Sequence, residues 1–430
     1  MKILSILACC IAWLTGCSPQ SEKVIVNPDD YNAFLKQTTN TDITSCNTEL
    51  AFWQGKLKEV PESETYRSRI ASLFAARFML NGRVEDMNTS DSLYRLVASE
   101  TTQPSAALFR SMAANCITQH KFREAYQYVQ QALTIGEGRA SSLLMLVDVD
   151  MELGDYKDAR LALSRLDHKN FFPYLILKAK IKDHEGDLDS AIVLMELAFE
   201  KIKDNPSLSL WTKSNLADMY GHAGRVKEAY ANYMSILKQN PDYDYALKGI
   251  AWIAYSHDHN NAEAKRIIRH IMDKRETPDM HLLLAKIAST EGHSNEAQKQ
   301  LSVFTTSATQ AKYGNMYNKY IALLDAEELA TPSKTIQIAQ IEVRNRPTPQ
   351  SYDLLAWGYF KNGDSKKALA VARENIEHQT FEPDALYHLG MIYKDNRMED
   401  EARDFLKQAE QSSFELGPEI TKKIRNELKR

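Results

Sequence analysis

The sequence predicts an all-α chain built as an α-solenoid of antiparallel helix pairs, and three observations carry that expectation. First, 16 Gly and 13 Pro in 430 residues is below average usage, which speaks against turn-rich sandwiches, barrels and propellers. Second, one small residue recurs along the chain, at Ala125, Ala159, Ala191, Ala229, Ala264, Ala297, Thr335, Ala368 and Ala402, in steps of 34, 32, 38, 35, 33, 38, 33 and 34. Third, a second small residue lies twelve positions before most of these (Ala113, Val147, Ala179, Ala217, Ala285, Ala356, Gly390), with turn residues Gly154, Gly186, Gly224, Gly292, Gly363 and Asn396 in phase. Units of this kind bury an apolar face only against their neighbours, so the length reads as one array rather than several cores. With 43% hydrophobic and 26% charged residues the chain has enough apolar surface to fold, and a net charge of -4 gives no general drive toward nucleic acid.

Taken in order, the first element is an address. Met1-Lys2 is a minimal positive start, and Ile3 to Trp13 is apolar but too short to span a bilayer. It closes on Leu14-Thr15-Gly16-Cys17, which resembles the lipobox of bacterial lipoproteins. The resemblance implies cleavage before an acylated Cys17, with acyl chains anchoring the protein at about 0.8 kcal/mol per buried methylene. Ser18 stands where inner-membrane lipoproteins often carry Asp, so it further implies the outer membrane, with the periplasmic face and the cell surface both open. Residues 18–45 are polar and broken by Asn27-Pro28-Asp29-Asp30 and Gln37 to Thr41, the pattern of a tether. Of the remaining cysteines, Cys46 and Cys116 lie seventy positions apart. An exported chain permits a bridge between them, but the expectation is two small buried hydrophobes.

Residues 46–100 read as a capping helix around Leu50, Phe52, Trp53 and Leu57, then a divergent first unit. That unit has a helix through Ile70 to Ala76, a turn at Asn81-Gly82, an inserted loop, and a second helix from about Ser90 to Ser99. The array proper covers 101–417. Its clearest unit is Leu216-Ala217-Asp218-Met219-Tyr220, then Gly224 to Ala229, Tyr233 and Pro241. Small side chains let two helices approach, glycine permits the left-handed turn between them, and proline stops the second helix. These residues resemble the tetratricopeptide motif, over roughly 66–417. Two departures stand out. Near Ala264 the small partner Ala251 is thirteen positions away, which reads as an inserted residue or a slipped register, and the unit around Thr335 has no turn glycine. Residues 418–430 carry Ile420, Ile424 and Leu428 four apart on a basic helix, the stripe that covers the open end of a solenoid.

No phosphate loop, dinucleotide fingerprint, zincin pair or nucleophile elbow occurs, so no enzyme, cofactor or metal is expected. Histidines gather near the turns (His120, His184, His222, His257, His259, His293). Stacked units lie about 10 Å apart, too far for one metal to collect three of them. The tetratricopeptide resemblance implies that the first helix of each unit lines a concave protein-binding groove. Transferred unit by unit, it places Lys248, Trp252 and Tyr255, then Lys286, Tyr317 and Tyr320, then Asp353, Trp357, Phe360 and Tyr387 inward. Earlier units offer the more polar Arg110, Asp148, Lys180, Asn215 and Asp218. The expected function is a membrane-anchored scaffold that binds a protein partner in a cell-envelope complex. The alternative is a surface lipoprotein capturing glycans or solutes on its inward aromatics.

Overall fold

The computed structural model describes residues 24–36, 40–275 and 277–429. The signal segment with its lipobox, and Cys17, lie outside the described residues. Among those described there is no strand, and no helix is long and apolar enough to cross a membrane.

The helices in chain order are α1 (Pro28–Tyr31), α2 (Thr41–Glu59), α3 (Glu64–Asn81), α4 (Val84–Glu100), α5 (Ala106–Thr118), α6 (Phe122–Ile135), α7 (Arg139–Leu153), α8 (Tyr156–Ser164), α9 (Phe172–His184), α10 (Leu188–Ile202), α11 (Pro206–His222) and α12 (Val226–Gln239). They continue as α13 (Asp244–Ser256), α14 (Asn261–Met272), α15 (Asp279–Thr290), α16 (Ser294–Ala308), α17 (Asn318–Glu327), α18 (Pro332–Asn345), α19 (Pro349–Lys361), α20 (Ser365–Asn375), α21 (Pro383–Asp395), α22 (Glu399–Gln411) and α23 (Ser413–Leu428). From α3 to α22 they pair as hairpins, each packed chiefly on itself and on the next. Proline in the first turn of α9, α11, α18, α19 and α21 starts helices at no cost in hydrogen bonds.

The recurring small residues sit where the two helices of a hairpin cross. Ala125, Ala159, Ala191, Ala264 and Ala368 are fully buried, as are Ala113, Val147, Ala179, Ala217 and Ala356 across from them. Thr335 is equally buried, and its hydroxyl donates to the Ala322 carbonyl at 2.9 Å, so the polar group that replaces alanine there is satisfied. The first unit is complete: α4 begins at Val84 directly after Gly82-Arg83, so the expected inserted loop is absent.

Five residues before each small anchor the backbone turns left-handed. Glycine serves at 154, 186, 224, 292 and 363, but the position is filled by His120, His259, Ala330 and Arg397 in the other units. Arg397, not Asn396, is therefore the turn residue of the last hairpin. The turns 257–260 and 328–331 each hold four residues where most others hold three, so the odd spacing before Ala264 is a true insertion.

Successive first helices touch directly at α3–α5, α5–α7, α7–α9, α11–α13, α17–α19 and α19–α21, whereas no successive pair of second helices makes comparable contact. The first helices thus form the inner face of a coil. The coil closes on itself: turns of early hairpins meet linkers of late ones along a seam. Glu85 pairs with Lys312 at 2.7 Å, Asn345 donates to the His120 carbonyl at 2.7 Å, and Arg346 pairs with Glu152 at 3.2 Å. Further along, Gly186 lies under the Phe381 ring and Gly221 under Phe414. α23 packs on α22 and also reaches back to α11, α13 and α15.

The expected tether over 18–45 is corrected where it is described. Residues 24–36 form a strap across the second helices α12 and α14, with Val26 and Tyr31 buried in the core. α2 starts at Thr41, whose amide donates to Asp242 at 3.1 Å. The polar composition hid this because two buried side chains and a captured backbone suffice to dock a short segment. Cys46 and Cys116 are free and buried, and burial pushes the Cys116 thiol up to about 12.

Candidate functional site

The inner face is built from side chains projecting from the first helices, and charges on it are paired between neighbouring hairpins. Lys180 on α9 meets Asp148 at 2.5 Å and Glu152 at 3.0 Å on α7, and Lys248 on α13 meets Asp279 on α15 at 2.9 Å. Burial opposes the charge on Lys180 and Lys248, but the facing carboxylates outweigh it and raise both ammonium groups. Asp218 on α11 accepts the Tyr245 hydroxyl at 2.6 Å and that of Tyr233 as well. Burial raises the Asp218 carboxyl above its ordinary range.

Of the ten residues placed inward from sequence, Lys248, Lys286 and Tyr320 are exposed, and Trp252, Tyr317 and Phe360 are half-buried. Tyr255, Asp353, Trp357 and Tyr387 are buried, at 1, 6, 2 and 8% exposure, and present nothing to a partner. The reason is a local cluster. Trp357 stacks on His388 at 3.9 Å and on Phe360 at 4.8 Å, and donates its indole N–H to Glu327 at 2.7 Å. His388 Nδ1 lies 2.9 Å from the Asp353 carboxylate. Burial works against charging that imidazole, and Asp353 overrides it, so the His388 pKa is raised. Trp252 and Tyr255 are covered by the kinked first turns of α23: the Trp252 indole donates to the Phe414 carbonyl at 3.1 Å, and both rings lie against Gly417.

Sequence reasoning missed Trp211 and Tyr245, which are 41 and 48% exposed in the N-terminal halves of α11 and α13. Trp211 meets Phe172 of α9 edge-on at 6.4 Å. Their signal was available, since Tyr245 lies three residues, one helical turn, before Lys248. Tyr320 lies close to both Tyr245 and Lys248, and Trp211 is exposed on the neighbouring first helix α11.

Where the seam crosses the inner face it leaves a cleft of about 310 Å³ between Glu152, Tyr156 and Lys180 of the early turn and Lys319, Arg346 and Gln350 of the late one. Among the described residues, no group of three or more His, Cys, Asp or Glu side chains is arranged to hold a metal. The turn histidines have separate local roles: His120 and His259 occupy left-handed positions, His184 stacks on Tyr156 at 3.8 Å, and His257 Nδ1 lies 2.7 Å from Asp258.

Two family models, both described as tetratricopeptide repeat, match residues 117–181 and 383–414. These hairpins are tetratricopeptide repeats. No curated protein sequence matches the chain. Among solved structures, the array is similar to a tetratricopeptide repeat protein from Parabacteroides merdae at 18% identity, covering 60% of this chain and 97% of that one, with a TM-score of 0.35. The human IFIT1 dimer with PPP-AAAA is 15% identical over 89 and 93% of the two chains, with a TM-score of 0.44. The APC/C hetero-tetramer Cut9-Hcn1 is 11% identical over 93 and 94%, with a TM-score of 0.35. Tetratricopeptide arrays are in general protein-interaction scaffolds and typically not catalytic.

Proposed function

We propose that this chain is a membrane-anchored lipoprotein whose tetratricopeptide coil holds a protein partner, as a scaffold in a bacterial cell-envelope complex, with the outer membrane as its site. The observation that carries the binding claim is the exposed set Trp211, Tyr245, Lys248 and Tyr320 on the first helices α11, α13 and α17. Rigid aromatics beside a fixed charge bury large area at little cost in rotamer entropy, which is the make-up of a binding hot spot. Support for the anchor is the resemblance of Leu14 to Cys17 to a lipobox.

The binding claim is tested on Tyr245→Ala and Tyr320→Ala together, with a thermal melt and a pull-down from detergent-solubilised envelope on the same protein. The expected result is an unchanged melt and loss of the partner. Full partner recovery by a stably folded variant sinks the claim, and recovery of glycan in place of protein favours the capture reading. The anchor is tested separately: Cys17→Ser should leave an unprocessed precursor.

A further inference from the structure

The strap fixes where the N-terminal chain leaves the coil. We propose that its docking makes the rim of the array at the turn 257–260 the surface that faces the lipid bilayer. This rests on the reading of Cys17 as the acylated residue.

The docking is specific. Asp258, whose side chain is wholly buried, accepts the backbone N–H of Ile25 at 3.1 Å and of Val26 at 2.7 Å. The Tyr230 hydroxyl donates to Asp30 at 2.9 Å and accepts the backbone N–H of Asn27 at 3.3 Å. Tyr31 is fully buried with its hydroxyl on Glu263, and Arg266 donates to Asn32 at 2.8 Å while lying over the Tyr31 ring. Asp258 belongs to the turn that carries the inserted residue, so the break in the repeat period coincides with the strap's docking site.

The strap runs between the two rims of the coil. Its start lies at the turn 257–260, and beyond it Thr41 and Asp42 are tied to Asp242 and Asn240 in the linker after α12, on the opposite rim. The rims are separated by the length of a helix such as α14, about 18 Å. From Cys17 to Val24 is seven residues, a reach of at most about 25 Å. Were the strap undocked, the first fixed point would be Thr41, and the reach would grow to about 80 Å. Docking therefore converts a long tether into a short leash attached at one rim. That rim carries exposed His259, Asn260 and Ala262, side chains that suit a headgroup surface without inserting into it.

The test uses the chain from Cys17 onward, coupled through that thiol to a maleimide lipid in vesicles that also contain a photoactivatable lipid. Cys46 and Cys116 are buried and do not compete. After irradiation, lipid adducts are mapped by mass spectrometry. The expected result is labelling of residues 257–262 several-fold above that of 203–206, which lie on the opposite rim. Asp258→Ala combined with Tyr31→Ala should bring the two within about twofold while the helical spectrum is kept. If that pair unfolds the coil, Asp258→Asn alone, with hydrogen exchange at residues 25 and 26 as the check on undocking, serves in its place. Equal labelling in the unmodified chain overturns the proposal, as does a bias that survives undocking. Because the attachment is chemical, the orientation is measured whether or not a cell acylates Cys17, and failure of the lipoprotein reading appears only in the Cys17→Ser processing experiment.

Discussion

Trp357 and Tyr320 occupy the first helices of adjacent hairpins, yet one is sealed in the core and the other is 44% exposed. Truncating Trp357 to Ala should cost about 3 to 5 kcal/mol by cavity formation, leave Glu327 with Lys361 alone as its partner and unstack His388, read as a fall in the denaturant midpoint. Sequence carried the first helices and their aromatic content. It did not carry helix rotation, because Trp357 turns into the core only where His388 of the next hairpin offers a flat partner held by Asp353. A second residue-scale expectation concerns Glu415 at the seam. Burial, with Glu382, Asp384 and Asp183 nearby, pushes its carboxyl up to about 7, and His222 at 3.9 Å opposes this. An acid with a raised folded pKa favours the folded state most below its unfolded value and loses that contribution as pH rises to the folded one. Thermal stability should therefore decline between about pH 4.5 and 7 in the parent and decline less steeply over that window in Glu415→Gln, where the buried Asp150 and Asp244, raised to about 7 and about 6, still titrate, as read by melts across the range.

At the scale of the element, the turn between helices is the informative unit. Ala330 adopts φ 49°, a left-handed conformation that costs an L-residue about 1 to 2 kcal/mol and glycine little, although glycine loses more entropy on folding. Ala330→Gly should raise stability by up to about 1 kcal/mol, measured by chemical denaturation, and a decrease would mean that the methyl group packs. The period of the small anchors was legible because steric approach of two helices tolerates few residues at Ala125 or Ala229. The turn residue was legible at the five glycines but not in the other units, since His120, His259, Ala330 and Arg397 take a conformation that glycine only favours. The strap was illegible for a different reason: Val26 and Tyr31 are too few to give a periodic pattern, and Asp258 captures backbone, which leaves no signature in residue type.

For the whole molecule, the seam changes how stability is distributed. An open solenoid sums unit and nearest-neighbour terms, but here residues 120 and 345, or 88 and 312, are joined across a full turn of the coil. Gly154 sits at φ 79° on this seam, and a Cβ there would lie 2.8 Å from the Pro347 carbonyl oxygen. Gly154→Ala should therefore part the two turns, seen as a larger radius of gyration in solution scattering and faster hydrogen exchange at 344–348, with helix content nearly unchanged. An unaltered radius and exchange pattern would mean the seam yields locally instead. The array as a whole was legible from the 34-residue period, whereas the closure was not, because it depends on the accumulated rotation of many hairpins. The strap adds a consequence in the order of synthesis. Tyr31 and its partner Glu263 are 232 residues apart, which at about 5 to 20 residues per second is a delay of roughly 12 to 46 seconds. The segment made early thus waits for the middle of the chain before it finds its place, and until then Val26 and Tyr31 stay open to whatever binds nascent chains.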